Sequence, residues 1–265
     1  MNKSLTIFCI LLAALPGISR AQGTVNDLGT DFGARFSVTA DKKIVKGFHW
    51  IVEGEARMDE NLGNFGRWQT GTGLTWKASQ YLKLGAGYTF IQKKNSSGEW
   101  NPRHRVYGDA MLTLRAGDWR FSLKERLQLT HREVNNPYQS TPDLVGLKSR
   151  FKVSYKGSKT LTPYGYVELR NVFNDPACTA TWSTSSMAYT DYVFKGYSDS
   201  YFNRLRGSLG TEWNLGRNSA LDIFLLADWC YDKNIDTNAK GTKLKSLTYD
   251  RKFNAGIGIG YTFSF

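Results

Sequence analysis

The sequence predicts an all-β protein, an antiparallel up-and-down transmembrane β-barrel of about 10–12 strands. Three observations carry that expectation. From Leu28 to Phe265 apolar residues recur at every second position, the period of a half-buried strand and not of a helix. Most alternating runs reach roughly 11 to 15 residues, against about 5 or 6 for a sandwich strand and about 9 to 11 for a strand tilted across a bilayer. The tryptophans, finally, collect at the ends of the runs.

Residues 1–21 read as a secretory signal peptide. Lys3 supplies the positive start, Leu5 to Leu15 the apolar stretch, and Ser19-Arg20-Ala21 a small-x-small ending before Gln22. Cys9 lies inside the apolar stretch rather than after the small-residue site, which argues against a lipoprotein anchor. Losing Lys3 and Arg20 takes the formal charge from +12 to +10 and leaves 22–265 as one domain. A disordered chain is excluded by 14% aromatic residues, and a disulfide scaffold by 3 cysteines.

The runs then follow in order. Phe32, Ala34, Phe36 and Val38 alternate with Asp31, Gly33, Arg35 and Ser37; Phe48, Trp50, Val52, Ala56 and Met58 oppose His49, Glu53, Glu55, Arg57 and Asp59. Trp68, Leu74 and Trp76 lead the third run, Leu82 to Phe90 the fourth, Val106 to Leu114 the fifth and Trp119 to Leu129 the sixth. Further runs lie near 144–157, 161–173, 200–214, 219–232 and 251–265. In the last, Phe253, Ala255, Ile257, Ile259, Tyr261, Phe263 and Phe265 share one face against Asn254, Gly256, Gly258 and Gly260.

Short turns such as 116–118 and 157–159 alternate with polar loops at 59–66, 94–101, 132–143, 174–199 and 233–250, the asymmetry of outer-membrane barrels. Trp50, Trp76, Trp119 and Trp213 fall on the apolar face at the short-turn end, and Trp68, Trp229, Tyr231 and Tyr201 at the long-loop end. Two such belts mark the two membrane interfaces. Eleven runs conflict with the even strand number of bacterial single-chain barrels. Ten or twelve is therefore expected, with a twelfth strand in 182–199 or 233–250, or with the first run outside the wall.

Trp100-Asn101-Pro102-Arg103-His104-Arg105, followed by Ser122-Leu123-Lys124-Glu125-Arg126-Leu127-Gln128, resembles the domain-of-unknown-function 2490 family of small outer-membrane barrels. Pro163-Tyr164 and Glu168 also fit, while 174–199 looks like an insertion. The resemblance implies an outer-membrane barrel and no particular activity. Tyr261-Thr262-Phe263-Ser264-Phe265 is similar to the aromatic C-terminal signal read by barrel-assembly machinery, a motif shared by many barrels.

The polar face carries 21 basic and 10 acidic residues, a formal +11, while the apolar face carries almost no charge. A midplane Arg or Lys facing lipid would cost roughly 2–4 kcal/mol. The candidate lining is Arg57, Arg103, Arg105, Asp109, Lys124, Arg126, Arg150, Arg170, Arg204 and Arg206. Basic rings favour anions in a pore; cross-strand charge pairs in a narrow barrel also serve simply as wall structure. Pairing across a three-residue turn at 116–118 sets Asp109 opposite Lys124, and Tyr107 opposite Arg126. Inward Gly71, Gly73, Gly85, Gly87, Gly256, Gly258 and Gly260 leave volume for a channel or an inserted loop.

Glu125 falls on the apolar face near mid-strand, with Gly108 as its expected neighbour unless a bulge turns it inward. A carboxyl facing lipid should be neutral or paired. His104 and His131 share that face, but no Ser faces them, so no catalytic residue is assigned. Cys178 in the longest loop and Cys230 near the external end of its strand could form a disulfide, but their spacing does not establish one. No metal spacing, phosphate loop or CxxC occurs, so neither metal nor cofactor is expected.

The expected function is a passive channel or small-ligand binder with a basic, anion-favouring lumen in the outer membrane of a Gram-negative bacterium. The alternatives are an outer-membrane enzyme acting on lipid or lipopolysaccharide, and a plugged structural barrel. Expected partners are outer-membrane lipid, the assembly machinery acting on the Phe265 strand, and a small anion. Nucleic acid is excluded, because charges facing a lumen cannot lie on a duplex.

Overall fold

The computed structural model describes residues 24–95 and 97–265. The leader expected over 1–21 lies outside them. Period-two alternation becomes thirteen strands among the described residues: β1 (Thr24–Val45), β2 (Phe48–Asp59), β3 (Asn64–Lys77), β4 (Leu82–Lys94), β5 (Trp100–Ala116), β6 (Trp119–Arg132), β7 (Asp143–Tyr155), β8 (Leu161–Asp175), β9 (Cys178–Ser183), β10 (Ala188–Phe194), β11 (Asp199–Asn214), β12 (Ser219–Thr237) and β13 (Leu244–Ser264). Eleven of them close a barrel in the order β1-β13-β12-β11-β8-β7-β6-β5-β4-β3-β2, and β9 and β10 form a separate hairpin.

The wall therefore has eleven strands, not ten or twelve, and its first run is a full member. Neither expected hiding place holds a twelfth: 182–199 contains β10 of the hairpin, and 233–250 is taken up largely by extensions of β12 and β13. An odd count means that the first and last strands run the same way. β1 and β13 pair in parallel, Phe32 with Ala255 through Asp41 with Ser264. Gly33 and Gly256 meet at that seam, where a side chain on Gly256 would lie 2.6 Å from the Gly33 carbonyl oxygen.

The wall's outer face is apolar. Trp50, Trp76, Trp119 and Trp213 stand exposed at the short-turn end, and Trp68 and Trp229 at the long-loop end. Tyr201 is not in that second belt as expected. A bulge between Phe202 and Arg204 shifts the alternation by one, so Phe202 instead stacks on Trp229 at 6.0 Å.

The β5–β6 turn is two residues, Gly117–Asp118, with Gly117 at φ 57°. The register consequently moves by two from the expected one: Asp109 faces Arg126, Tyr107 faces Gln128 and Glu125 faces Ala110. No bulge interrupts β6 there, and Glu125 keeps the lipid face. It accepts a hydrogen bond of 2.6 Å from the Ser149 hydroxyl of β7, directly opposite.

Beyond the upper belt, β12 and β13 continue as a ribbon. Ile235 and Leu247 lie opposite each other on the face that carries Trp229 lower down, and with Leu244 they form a small core. The β9–β10 hairpin packs Cys178, Ala180, Tyr189 and Tyr192 against it. The longest loop is thus folded onto the outside of the ribbon, not into the lumen. Cys178 and Cys230 are both free, because the hairpin carries Cys178 to the outer face while Cys230 lines the interior.

At the hairpin's base Lys233 bridges Asp175 (3.7 Å) and Asp199. Burial raises the Asp175 carboxyl to about 6 against the pull of Lys233, with Asp199 adding to the rise. A raised acid stabilises the fold fully below the unfolded value near 3.8 and loses that contribution as pH rises through about 6. Hairpin docking is therefore expected to weaken between pH 4 and 6 by up to about 3 kcal/mol. Hydrogen exchange across 178–194 at pH 5 and 7.5 measures this. Lower protection at pH 7.5, once rates are divided by the intrinsic base-catalysed rate at each pH, is the expected result, and Asp175→Asn should abolish the difference; equal protection at the two pH values in the parent protein would refute it.

Candidate functional site

The alternation that turns Leu, Val and Trp outward turns arginine inward, and all ten candidate residues line interior cavities. An inner chamber of about 360 Å³ is bordered by Arg57, Arg105, Lys124, Arg126, Arg150, Tyr164, Tyr166, Glu168 and Arg206. An outer chamber of about 320 Å³, nearer the long loops, is bordered by Arg57, Arg67, Lys93, Arg103, Arg105, Arg170 and Arg204. Arg35, Arg57 and Arg105 border both, so the chambers meet at these three guanidinium groups.

Strand register decides which charges are compensated. One row across the wall runs Lys124, Arg150, Glu168, Arg206, Asp228 on β6, β7, β8, β11 and β12. From Arg150 onward its acids alternate with its bases and are held in the fork geometry suited to a carboxylate. Arg206 Nε lies 2.5 Å from one Asp228 oxygen and its terminal nitrogen 2.6 Å from the other. Arg150 gives two nitrogens to Glu168 at 2.9 and 2.5 Å, and Arg204 reaches the same carboxylate at 3.0 Å. Arg35 adds a 3.2 Å contact to Asp228.

Two residues further along each strand, the next row reads Arg126, Lys148, Arg170, Arg204. Asp109 neutralises Arg126 at 2.6 and 2.7 Å, and Lys124 shares that acid at 2.8 Å. No acid follows. On the opposite wall Arg35, Arg57, Arg67 and Lys93 stand in direct register on β1 to β4. Like charges facing each other across strands oppose pairing, by several tenths of a kcal/mol each at exposed sites and by more in a low-dielectric interior. These two ladders hold eight cations in six like-charged cross-strand contacts.

Arg67, Lys93, Arg103, Arg105, Lys148 and Arg170 form no ion pair among the described residues. Arg105 donates to the Thr130 hydroxyl at 3.0 Å, and Arg67 to the Gln69 side chain. The buried Nε groups of Arg67, Arg103, Arg170 and Arg204 donate to no protein atom. Arg126 lies 3.9 Å from the Tyr107 ring centre and Arg150 4.4 Å from that of Tyr166. The ten predicted residues are thus brought to one lumen, but they belong to two electrostatic regimes. Arg35, Arg67, Lys93 and Lys148 are among the 21 basic residues that alternation puts on the polar face, and nothing in the sequence singles them out, since what distinguishes them is register across strands.

The outward-facing polar groups do not assemble. Glu125 is bonded to Ser149, His131 Nδ1 lies 2.7 Å from Asp143, and His104 Nδ1 lies 2.7 Å from the Tyr88 hydroxyl. His104 and His131 do face each other, but Glu125 is six positions down the strand from His131, roughly 20 Å at the ordinary rise per residue. A lipid-face triad of Glu125 with either histidine is not formed.

The sequence pattern of a family described as "Protein of unknown function (DUF2490)" matches residues 32–239. The chain belongs to the DUF2490 family. The match runs from β1 into the β12 ribbon and so includes every candidate lumen residue. Among curated proteins none matches this DUF2490 chain. Among solved structures it is similar to "Outer-membrane expressed OmpT of Vibrio cholerae", with 13% identity and a TM-score of 0.37 over 81% of this chain. It spans 63% of that protein's length.

Proposed function

We propose that this DUF2490 barrel sits in the outer membrane and admits small anions into its lumen as a passive channel. The observation that supports the reading is the pair of basic ladders, Arg35-Arg57-Arg67-Lys93 and Arg126-Lys148-Arg170-Arg204, facing a shared interior in which carboxylates are outnumbered. Basic rings at a constriction favour anions by concentrating them and repelling cations. An apolar outer wall with two aromatic belts supports the location.

The eleven-stranded wall is intermediate between barrels of about eight strands, filled by side chains, and water-filled ones of about sixteen. Chambers of about 360 and 320 Å³ joined at three arginines fit small inorganic or organic ions, not oligomeric solutes. Reversal potential in a potassium chloride gradient, with the purified barrel in a planar bilayer, tests the proposal. Chloride preference is the expected result; cation preference, or no current, overturns it.

A further inference from the structure

The outer chamber has a charge imbalance that general anion attraction does not require. Ten Lys and Arg border it against three Asp, and those acids are largely engaged elsewhere. Asp228 is held by Arg206 and Arg35, and Asp31 by Lys252 at 3.0 Å. Asp59 alone has no ion pair among the described residues. Around the inner chamber every arginine except Arg105 is held in an ion pair, by Glu55, Glu168, Asp109 or Asp228, while Lys148 and Lys152 have none among the described residues. Arg67, Arg103, Arg105 and Arg170, all without an ion pair among the described residues, therefore lie together with Lys93 on the long-loop side.

We infer that this outer chamber is a binding site for a compact polyanion of the phosphate class, gripped by Arg67, Lys93, Arg103, Arg105 and Arg170. The inference rests on the anion-admitting lumen proposed above and adds a place and a ligand chemistry to it. Three features select that chemistry. The grip is mostly arginine, whose planar fork matches the oxygens of phosphate and carboxylate. The buried Nε groups of Arg67, Arg103 and Arg170 retain their donors, which a ligand with several acceptors on one centre can take together. A phosphate group offers three acceptor oxygens and up to two charges in a volume where a carboxylate offers two oxygens and one charge.

At the long-loop end the 133–142 loop bridges to the ribbon tip, Asn136 to Thr237 at 3.2 Å and Gln139 to Asp236 at 2.8 Å. The longest loop packs on the outer side of the β12–β13 ribbon, so the hairpin it carries does not occupy the chamber. A ligand there would also relieve the repulsion along Arg57, Arg67 and Lys93, because one polyanion lowers the potential at all of them. Binding should accordingly stabilise the wall as well as fill it.

Calorimetry on the purified full-length barrel in micelles, with pyrophosphate, orthophosphate, citrate and chloride as probes, decides the matter. Pyrophosphate is expected to bind one per barrel, more tightly than citrate and far more tightly than chloride. Arg103→Gln and Arg170→Gln should each weaken it by about tenfold or more, while Lys83→Gln, outside the chamber, should leave it unchanged. Tighter citrate binding, an equal loss in Lys83→Gln, or no binding would each overturn the site. If an arginine variant fails to fold, the parent's unfolding temperature decides: pyrophosphate must raise it above the value in chloride at equal ionic strength, and no rise overturns the site. Chloride preference in the bilayer without pyrophosphate binding would remove the site and leave the channel reading standing. Pyrophosphate binding with cation preference would do the reverse.

Discussion

Replacing Glu168 with leucine is expected to destabilise the barrel by about 3–5 kcal/mol, the scale of breaking a buried ion pair from one side. The carboxylate is 2% exposed and receives Arg150 and Arg204, with Arg206 a further 4.0 Å away. Its loss leaves Arg150 and Arg204 without a counter-charge, inside a lumen that already has basic residues in excess. It also leaves Arg150 and Arg206 flanking an uncharged residue, beside the basic Lys148, Arg170 and Arg204 of the next row on β7, β8 and β11. Glu168→Gln keeps the shape and an acceptor oxygen and should cost less. The fraction of compact barrel retained on heating in detergent, read by gel mobility and far-ultraviolet circular dichroism, gives the ordering. A leucine variant as stable as the parent would show that Glu168 is not the anchor of that row.

Gly256→Val is expected to prevent closure of the barrel. A side chain at that position would start 2.6 Å from the backbone oxygen of Gly33, and a backbone atom cannot swing aside as a flexible side chain can. The β1–β13 contact is what closes the sheet. Valine therefore either forces the two strands apart or abandons their hydrogen bonds, and an opened sheet leaves unpaired backbone groups in lipid, each costing several kcal/mol. A loss of at least about 3 kcal/mol, or failure to reach the compact form, is predicted. Gly108→Val serves as the comparison, since nothing lies within 4 Å of a side chain there. Equal folding of the two variants would contradict the parallel seam.

Much of this architecture is legible along the chain because alternation is a local property. Residues such as Phe253, Ile257 and Ile259 against Asn254, Gly256 and Gly258 declare a face whatever strand lies beside them. Tyr201 departs from its expected belt for the same reason: one bulged residue downstream inverts a face, and bulges leave little trace in composition. Likewise the change from a three-residue to a two-residue turn at Gly117–Asp118 moved a whole register, giving Asp109 to Arg126 and Glu125 to Ala110. The Glu125–Ser149 bond joins strands linked by the 133–142 loop, whose length does not specify register.

What the sequence determined by itself is therefore the strand content, the apolar wall with its two belts, and the inward placement of the arginines, since each depends only on a residue's own parity and neighbours. The tertiary structure decided the eleven-strand closure, the parallel seam and the outward-packed hairpin. It also separated the compensated row, Arg150-Glu168-Arg206-Asp228, from the uncompensated neighbours Lys148 and Arg170 in the row beside it. Those depend on which residues of different strands stand side by side, and a shift of two positions in any one strand would preserve every face while exchanging attraction for repulsion across the lumen.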